Sequence, residues 1–344
     1  MKNQKFDFKD ITIVPETISS IETRSVIDIF DENGKLPIMV SPMDTVIDEY
    51  NCDVFSEEGL NVCMPRGINP ENDDFFMSIS LDDFEKMVEW FDDSEIQKEP
   101  VKILVDIANG HMEKLFNLTK KFINKRNSEN QKIMVGNIAN PNTYRKFAEL
   151  GVDYIRVGIG GGSGCLTSAN TGVHYPMASL INECYLIKKS NDFKTKIVAD
   201  GGFKNYDDII KAIALGADYV MLGGVLNKTL ESCSQTKLFK LFPLNDNDAE
   251  IFWNKIPFLR KFFYKKFRGM STKEVQIKWG KSKLTTSEGI VKYNKVEYTL
   301  KGWTDNFKDY LKSAMSYTNS KNLDEFKGSE FVFITQNALS RFHK

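Results

Sequence analysis

The chain has 344 residues, with 46 Lys plus Arg against 47 Asp plus Glu and a net charge of −1. A near-neutral chain offers no surface built for a polyanion, so nucleic acid is not an expected partner. No apolar run reaches the roughly 20 residues of a membrane span, and the N-terminal MKNQKFDFKDITIV lacks a signal-peptide core. A cytoplasmic protein with no membrane partner is expected. The five cysteines (Cys52, Cys63, Cys165, Cys184 and Cys233) show no CxxC spacing, and there are only three histidines. Zinc and a disulfide framework are therefore not expected, and a functional cysteine should act as a thiol.

In chain order, short apolar runs stand at 37–41 (LPIMV), 60–64 (LNVCM), 103–107 (ILVDI), 132–136 (KIMVG), 153–157 (DYIRV), 196–200 (KIVAD) and 218–222 (DYVML). Each has the length of a strand and is apolar on both faces, as in a parallel sheet. Amphipathic stretches separate them, such as 142–152 and 205–218. In the latter, Ile209, Ile210, Ile213 and Ala214 share one face and Gly216 suits a C-cap. This alternation predicts right-handed βαβ units. Seven runs, with an eighth strand expected near 287–294, predict a (β/α)8 TIM barrel as one domain over 1–344, ahead of an open doubly wound sheet. The rhythm breaks at 229–267, after the seventh run. Its aromatic and basic part, 251–267, reads first as a helix on the barrel wall, then as a subunit interface, and last as a membrane-surface segment.

Barrel chemistry sits at the C-terminal ends of the strands. Those ends carry SPMD, PRG, DIANG, GN, VGIGGGSGC, DGG and LGG. The loop 157–165 holds five glycines, but its spacing is neither G-x-G-x-x-G nor a P-loop. Ser163 could donate to a phosphate alongside backbone N–H groups. Cys165 ends the loop, where a cysteine can be an exposed nucleophile rather than the commoner small buried hydrophobe. Gly201, Gly202, Gly223 and Gly224 end two successive strands and could cradle a phosphate monoester through their N–H groups. Asp200 could accept hydrogen bonds from ribose hydroxyls, or cap a turn.

Together the motifs SPMDTV (41–46), DIANGH (106–111), VGN (135–137), RVGIGGGSGCLT (156–167), TGVHYP (171–176), ADGG (199–202), DYVMLGG (218–224), RGMS (268–271) and EG (288–289) resemble the IMP dehydrogenase and GMP reductase family, over nearly the whole chain. The resemblance implies a (β/α)8 barrel in which Cys165 attacks C2 of a purine nucleotide. It implies that Ser163, Gly202, Gly223 and Gly224 hold the 5′-phosphate, with Gly201 beside them, and that Asp200 holds the ribose. Ser41 and Met43 would line the nucleotide site, and Met270, Ser271 and Gly289 would border the base. Asp106, Asn109 and Gly110 would face a nicotinamide cofactor. Backbone carbonyls of Gly160, Gly162 and Cys165 would form a potassium (K+) site. Family analogy also suggests a homo-oligomer, a tetramer.

Three features favour the reductase branch, which converts GMP to IMP and ammonia with NADPH. Only about 35 residues separate PRG from ILVDI, too few for the regulatory cystathionine-β-synthase-type domains that most dehydrogenases insert between the second and third strands. The flap, 268–289, is short, and 271–289 contains neither the Arg nor the Tyr expected of a dehydrogenase water-activating pair. DIANG also leans toward reductases. Thr167 and Glu288 occupy the positions of the reductase Thr-Glu pair that handles ammonia. Departures surround the catalytic loop. CMPRGIN (63–69) replaces a His-Lys stretch, so Arg66 is either a cation near the NADPH phosphates or a surface charge. Gly164, His174, Pro176-Met177 and CLTS are also atypical. The other readings are an IMP dehydrogenase without regulatory domains, a reductase of a related purine (deoxy)nucleotide, and a purine nucleotide-binding protein without turnover.

Overall fold

The structure, a computed structural model, describes residues 4–90, 101–126, 130–278, 286 and 289–342. Strand β1 (Ile11–Ile13) lies outside the barrel. The closed parallel barrel follows as β2 (Ile38–Val40), β3 (Asn61–Met64), β4 (Phe76–Ile79), β5 (Val101–Asp106), β6 (Gln131–Ile138), β7 (Tyr154–Val157), β8 (Lys196–Asp200) and β9 (Tyr219–Leu222). The fold is a (β/α)8 TIM barrel.

The eighth barrel strand is not at 287–294. It is β4, which pairs Cys63↔Phe76 on one side and Met77↔Ile103 on the other. It is only four residues long, and Ser80 alone separates it from the helix Leu81–Trp90, which hides it as an element of its own. DGG and LGG therefore follow strands seven and eight of the barrel, where phosphate sites commonly lie.

Alternation along the strands separates two cores. Ile38, Val40, Val62, Ile103, Ile133, Ile155, Ile197 and Val220 point outward and are sealed by the helices. Met39, Cys63, Phe76, Leu104, Met134, Tyr154, Val198, Tyr219 and Met221 point inward and fill the barrel. Phe76 meets Tyr154 edge-on at 5.2 Å, and Tyr219 OH donates to Asp31 Oδ2 at 3.1 Å. Burial pushes the Cys63 thiol up to about 12, which keeps it neutral under the site.

After β9 the chain builds a second sheet: β10 (Thr236–Leu238), β11 (Phe242–Pro243), β12 (Phe263–Arg268) and β13 (Val291–Lys295), antiparallel in the order β11-β10-β12-β13. The segment 251–267 is thus not one helix. A helix, Asp246–Lys255, gives way to a 3-10 turn, Pro257–Phe262, and then to β12. Burial alternates residue by residue along β12, the period of a half-covered strand. Ala249, Trp253, Phe263 and Val296 form a small core of their own rather than joining the barrel wall. The helix Leu300–Tyr317 returns to the main core, and β14 (Phe331–Phe333) pairs antiparallel with β1. Among the described residues no helix is long and apolar enough to cross a membrane.

Leu104 sits in the packed barrel interior and is fully buried. Leu104→Ala is expected to lower the unfolding free energy by about 2–5 kcal/mol, read from urea unfolding curves. A loss far below that range would mean the barrel interior is loosely packed.

Candidate active site

The period of two that buries Tyr154 inside the barrel also turns Arg156 inward, at the top of β7. Arg156 is 5% exposed, and its guanidinium lies between carboxylates from two other strands. Nη1 donates to Asp106 Oδ1 at 2.7 Å; Nη2 and Nε donate to Asp200 Oδ2 at 2.7 and 3.2 Å. Burial opposes the charge, but Asp200 and Asp106 outweigh it and hold the guanidinium protonated well above its ordinary range. Arg66 Nε lies 3.3 Å from Asp106 Oδ2. Asn137 Nδ2 donates to Asp200 Oδ2 at 2.7 Å and to the Gly158 carbonyl at 2.9 Å. The ladder between β6 and β7 shifts register between Gly136 and Ile138, which re-aims the chain at Asn137. All the hydrogen bonds to Asp200 described above use Oδ2.

Above this network opens a cavity of about 550 Å³. Three loops meet along one side of it. A Cβ on Gly224 would stand 2.5 Å from Ser163 Oγ, and one on Gly201 would stand 2.9 Å from Gly162 N. Only glycine permits that convergence. Among the described residues, no chain acceptor takes the N–H groups of Gly162, Ser163, Gly202 or Gly224. Such an array of unmatched backbone donors is an anion nest. Ser41 and Met43 border it beside Gly223, whose missing Cβ would fall 2.6 Å from Met43 Sδ.

Cys165 also lines the cavity. Its thiol donates to Thr167 Oγ1 at 3.2 Å, and its N–H donates to the Gly162 carbonyl at 2.9 Å. The loop is stitched to the base of the flap: Cys165 bridges Gly289, and Ile290 N–H donates to the Gly164 carbonyl at 3.0 Å. A Cβ at Gly164 would come within 2.8 Å of the Phe267 ring, so the atypical glycine is matched to this phenyl. Met270, Ser271, Gln276 and Thr286 line the cavity from the flap side. Arg268 anchors the flap base, with Nη2 at 2.6 Å and Nε at 3.3 Å from the Asp44 carboxylate and Nη1 at 2.9 Å from Glu274.

Residues 93–242 match the family model for an IMP dehydrogenase / GMP reductase domain. Human GMP reductase 2 is 29% identical over 362 residues, covering 96% of this chain and 95% of the relative. The GMP reductase of Staphylococcus carnosus is 27% identical over 346 residues, with 96% of each chain covered. The inosine-5′-monophosphate dehydrogenase of Borreliella burgdorferi is 31% identical over 271 residues, covering 78% of this chain and 62% of the relative. The chain belongs to the IMP dehydrogenase and GMP reductase family.

The cavity gathers most of the positions expected from that family: Ser41, Met43, Arg66, Asp106, Ser163, Cys165, Thr167, Asp200, Gly201, Gly202, Gly223, Gly224, Met270 and Ser271. Asn109 and Gly110 do not line it. The Asn109 carboxamide accepts from His111 N–H, and Gly110 packs against Asn137, where a Cβ would stand 2.7 Å from the carbonyl oxygen. Gly289 meets Cys165 from outside the lining, and Glu288 lies outside the described residues. Two of the three carbonyls expected at a potassium site each accept a hydrogen bond from the same segment. The Gly160 carbonyl accepts from Ser168 Oγ and the Gly162 carbonyl from Cys165 N–H, each at 2.9 Å.

Arg156 and Gln276 escaped the sequence reading. Arg156 had one signal, a lone cation within an apolar strand in phase with Tyr154. Gln276 had none, because its position on the flap is set by tertiary packing.

Two expectations follow from this geometry. Arg156→Met strands Asp106 and Asp200 beneath the cavity, and a loss of about 3–5 kcal/mol in unfolding free energy is expected. His111 accepts from Ala139 N–H through Nε2 at 3.0 Å and meets Thr143 Oγ1 through Nδ1 at 3.1 Å, so the ring must be neutral. Burial lowers its pKa below 6.5, so the unfolded chain takes the proton first and stability is lost as pH falls through and below that value. Melting temperatures measured across mildly acidic pH should show this loss, and His111→Gln should flatten it.

Proposed function

We propose that this chain is a GMP reductase-like enzyme that converts GMP to IMP and ammonia with NADPH. The observation that carries the reading is the placement of Cys165 and Thr167, 3.2 Å apart, in the same cavity as the unmatched N–H groups of Ser163, Gly202 and Gly224. A binding protein needs the nest but not the thiol.

In this reading the nest and the Ser163 hydroxyl hold the 5′-phosphate, with Gly201 and Gly223 shaping its walls. Binding energy gained there fixes the purine over Cys165. Asp200 accepts from the ribose through Oδ1, while Oδ2 is held by Arg156 and Asn137. Ser41, Met43, Met270 and Ser271 border the base. The Cys165 sulfur adds to C2 as a thiolate, the C2 amino group leaves as ammonia, and the purine stays bonded to sulfur. Thr167, with Glu288, serves the protons of the departing amine. After reduction at C2 the carbon–sulfur bond breaks, returning the thiolate and releasing IMP.

The wall formed by Asp106, Ile107, Ala108 and Arg66 fits a nicotinamide cofactor. It lies across the barrel from the nest, and Arg66 supplies a cation suited to a pyrophosphate. A nicotinamide bound there supplies the hydride. Asp106, fixed between Arg156 and Arg66, is an oriented acceptor on that wall. No step runs through potassium.

Coverage favours the reductase branch over the dehydrogenase branch. The reductase relatives align from end to end, whereas the Borreliella burgdorferi dehydrogenase is covered over 62% of its length. The flap, without Arg or Tyr over 271–289, lacks the water-activating pair.

The deciding experiment follows the near-ultraviolet absorbance of NADPH with purified protein and GMP, with IMP and ammonia identified chromatographically. GMP-dependent oxidation with IMP formed is the expected result. Inertness there, with reduction of NAD in the presence of IMP, would replace the reading by a dehydrogenase. Cys165→Ser should abolish turnover while changing GMP affinity by no more than roughly tenfold, about 1.4 kcal/mol. Normal turnover by that variant would refute the covalent route.

A further inference from the structure

A second, smaller pocket of about 280 Å³ lies behind the nest and shares Ile159, Gly161 and Gly202 with the main cavity. Its floor is apolar, formed by Phe8, Met177 and the Tyr175 ring, with Phe8 and Met177 nearly inaccessible to solvent. Its rim carries three basic side chains, Lys9, His174 and Lys204. None of the three side chains has an ion-pair or hydrogen-bond partner among the described residues. Two carboxylates also face the pocket, and both are engaged by backbone. Asp7 Oδ1 accepts from Phe8 N–H at 2.8 Å, and Asp208 Oδ2 accepts from Lys204 N–H at 3.0 Å and Asn205 N–H at 3.3 Å. The pocket therefore combines two unpaired lysine side chains and an unpaired imidazole, two carboxylates that hold backbone N–H groups, and an apolar base.

We infer that this pocket binds a small organic phosphate monoester, with its phosphate on Lys9, Lys204 and His174 and its organic body against the Tyr175 ring. Nothing in the proposed reaction uses these residues, because the substrate phosphate is assigned to the nest on the other side of Gly161 and Gly202. Charge-assisted hydrogen bonds from three donors provide the affinity, and the apolar floor provides a preference for an organic body over bare phosphate.

Equilibrium dialysis of the full-length protein with inorganic phosphate and with phenyl phosphate, each with and without saturating GMP, tests this. Two classes of phosphate site are expected, of which GMP displaces one. The remaining class should bind phenyl phosphate more tightly than inorganic phosphate. In K9Q/K204Q that class should weaken by roughly tenfold or more while GMP binding is retained, which also reports a folded chain. K9R/K204R should keep both classes. A single class fully displaced by GMP, or a second class indifferent to K9Q/K204Q, would overturn the inference. Should GMP displace neither class, the GMP reading fails, while loss of one class in K9Q/K204Q would still uphold the pocket.

Discussion

The site depends on one buried cation. Arg156 lies inside the barrel mouth with Asp106 on one side and Asp200 on the other, each held at 2.7 Å. A guanidinium is suited to this position because its rigid fork reaches two carboxylates at fixed angles, which a point charge on a flexible stem would not do. A buried ion pair need not add to stability, since desolvation offsets much of the attraction. It does fix geometry. Two strand ends that belong to different βαβ units are thereby tied at one spacing, and the two walls of the cavity are built on those ends.

Around that tie, the site is divided by type of group. Backbone N–H groups gather in the loops after β7, β8 and β9, where glycines let the three loops touch. Ionised side chains stand beneath, at or near the ends of β3 (Arg66), β5 (Asp106), β7 (Arg156) and β8 (Asp200). The thiol stands between them on a loop pinned to the flap by the Cys165–Gly289 bridge and the Gly164–Phe267 contact. An anion on the N–H groups thus need not compete with the carboxylates for their donors.

What the sequence made legible follows from how local each signal is. The nest was legible because glycine pairs at strand ends have few other uses, and Cys165 because it ends a glycine loop. The barrel was legible from runs apolar on both faces. Strand β4 was not, because only Ser80 separates it from the helix Leu81–Trp90, so strand and helix read as one stretch. VKYNK in β13 reads as a barrel strand only if Lys292, Asn294 and Lys295 are overlooked: they break any run apolar on both faces, and Val291 and Tyr293 are exposed. The break at Pro257 and the period of two along β12 separate helix from strand within 251–267, but the aromatic and basic composition masks both. The Arg156 network was illegible because its partners lie 50 and 44 residues away and are joined only by barrel closure.

The second sheet has a consequence for how the catalytic face can vary. Arg268 and Val291 are register partners across β12 and β13, so the whole flap is a loop closed at its base by an antiparallel ladder. The entropy of closing such a loop grows only slowly with its length, about 0.6 kcal/mol per doubling. The flap can therefore gain or lose residues at little thermodynamic expense, while its two ends stay at fixed distance from Cys165. In this architecture the segment between β12 and β13 is free to diverge in length and chemistry, and the barrel and its charged tie need not change with it.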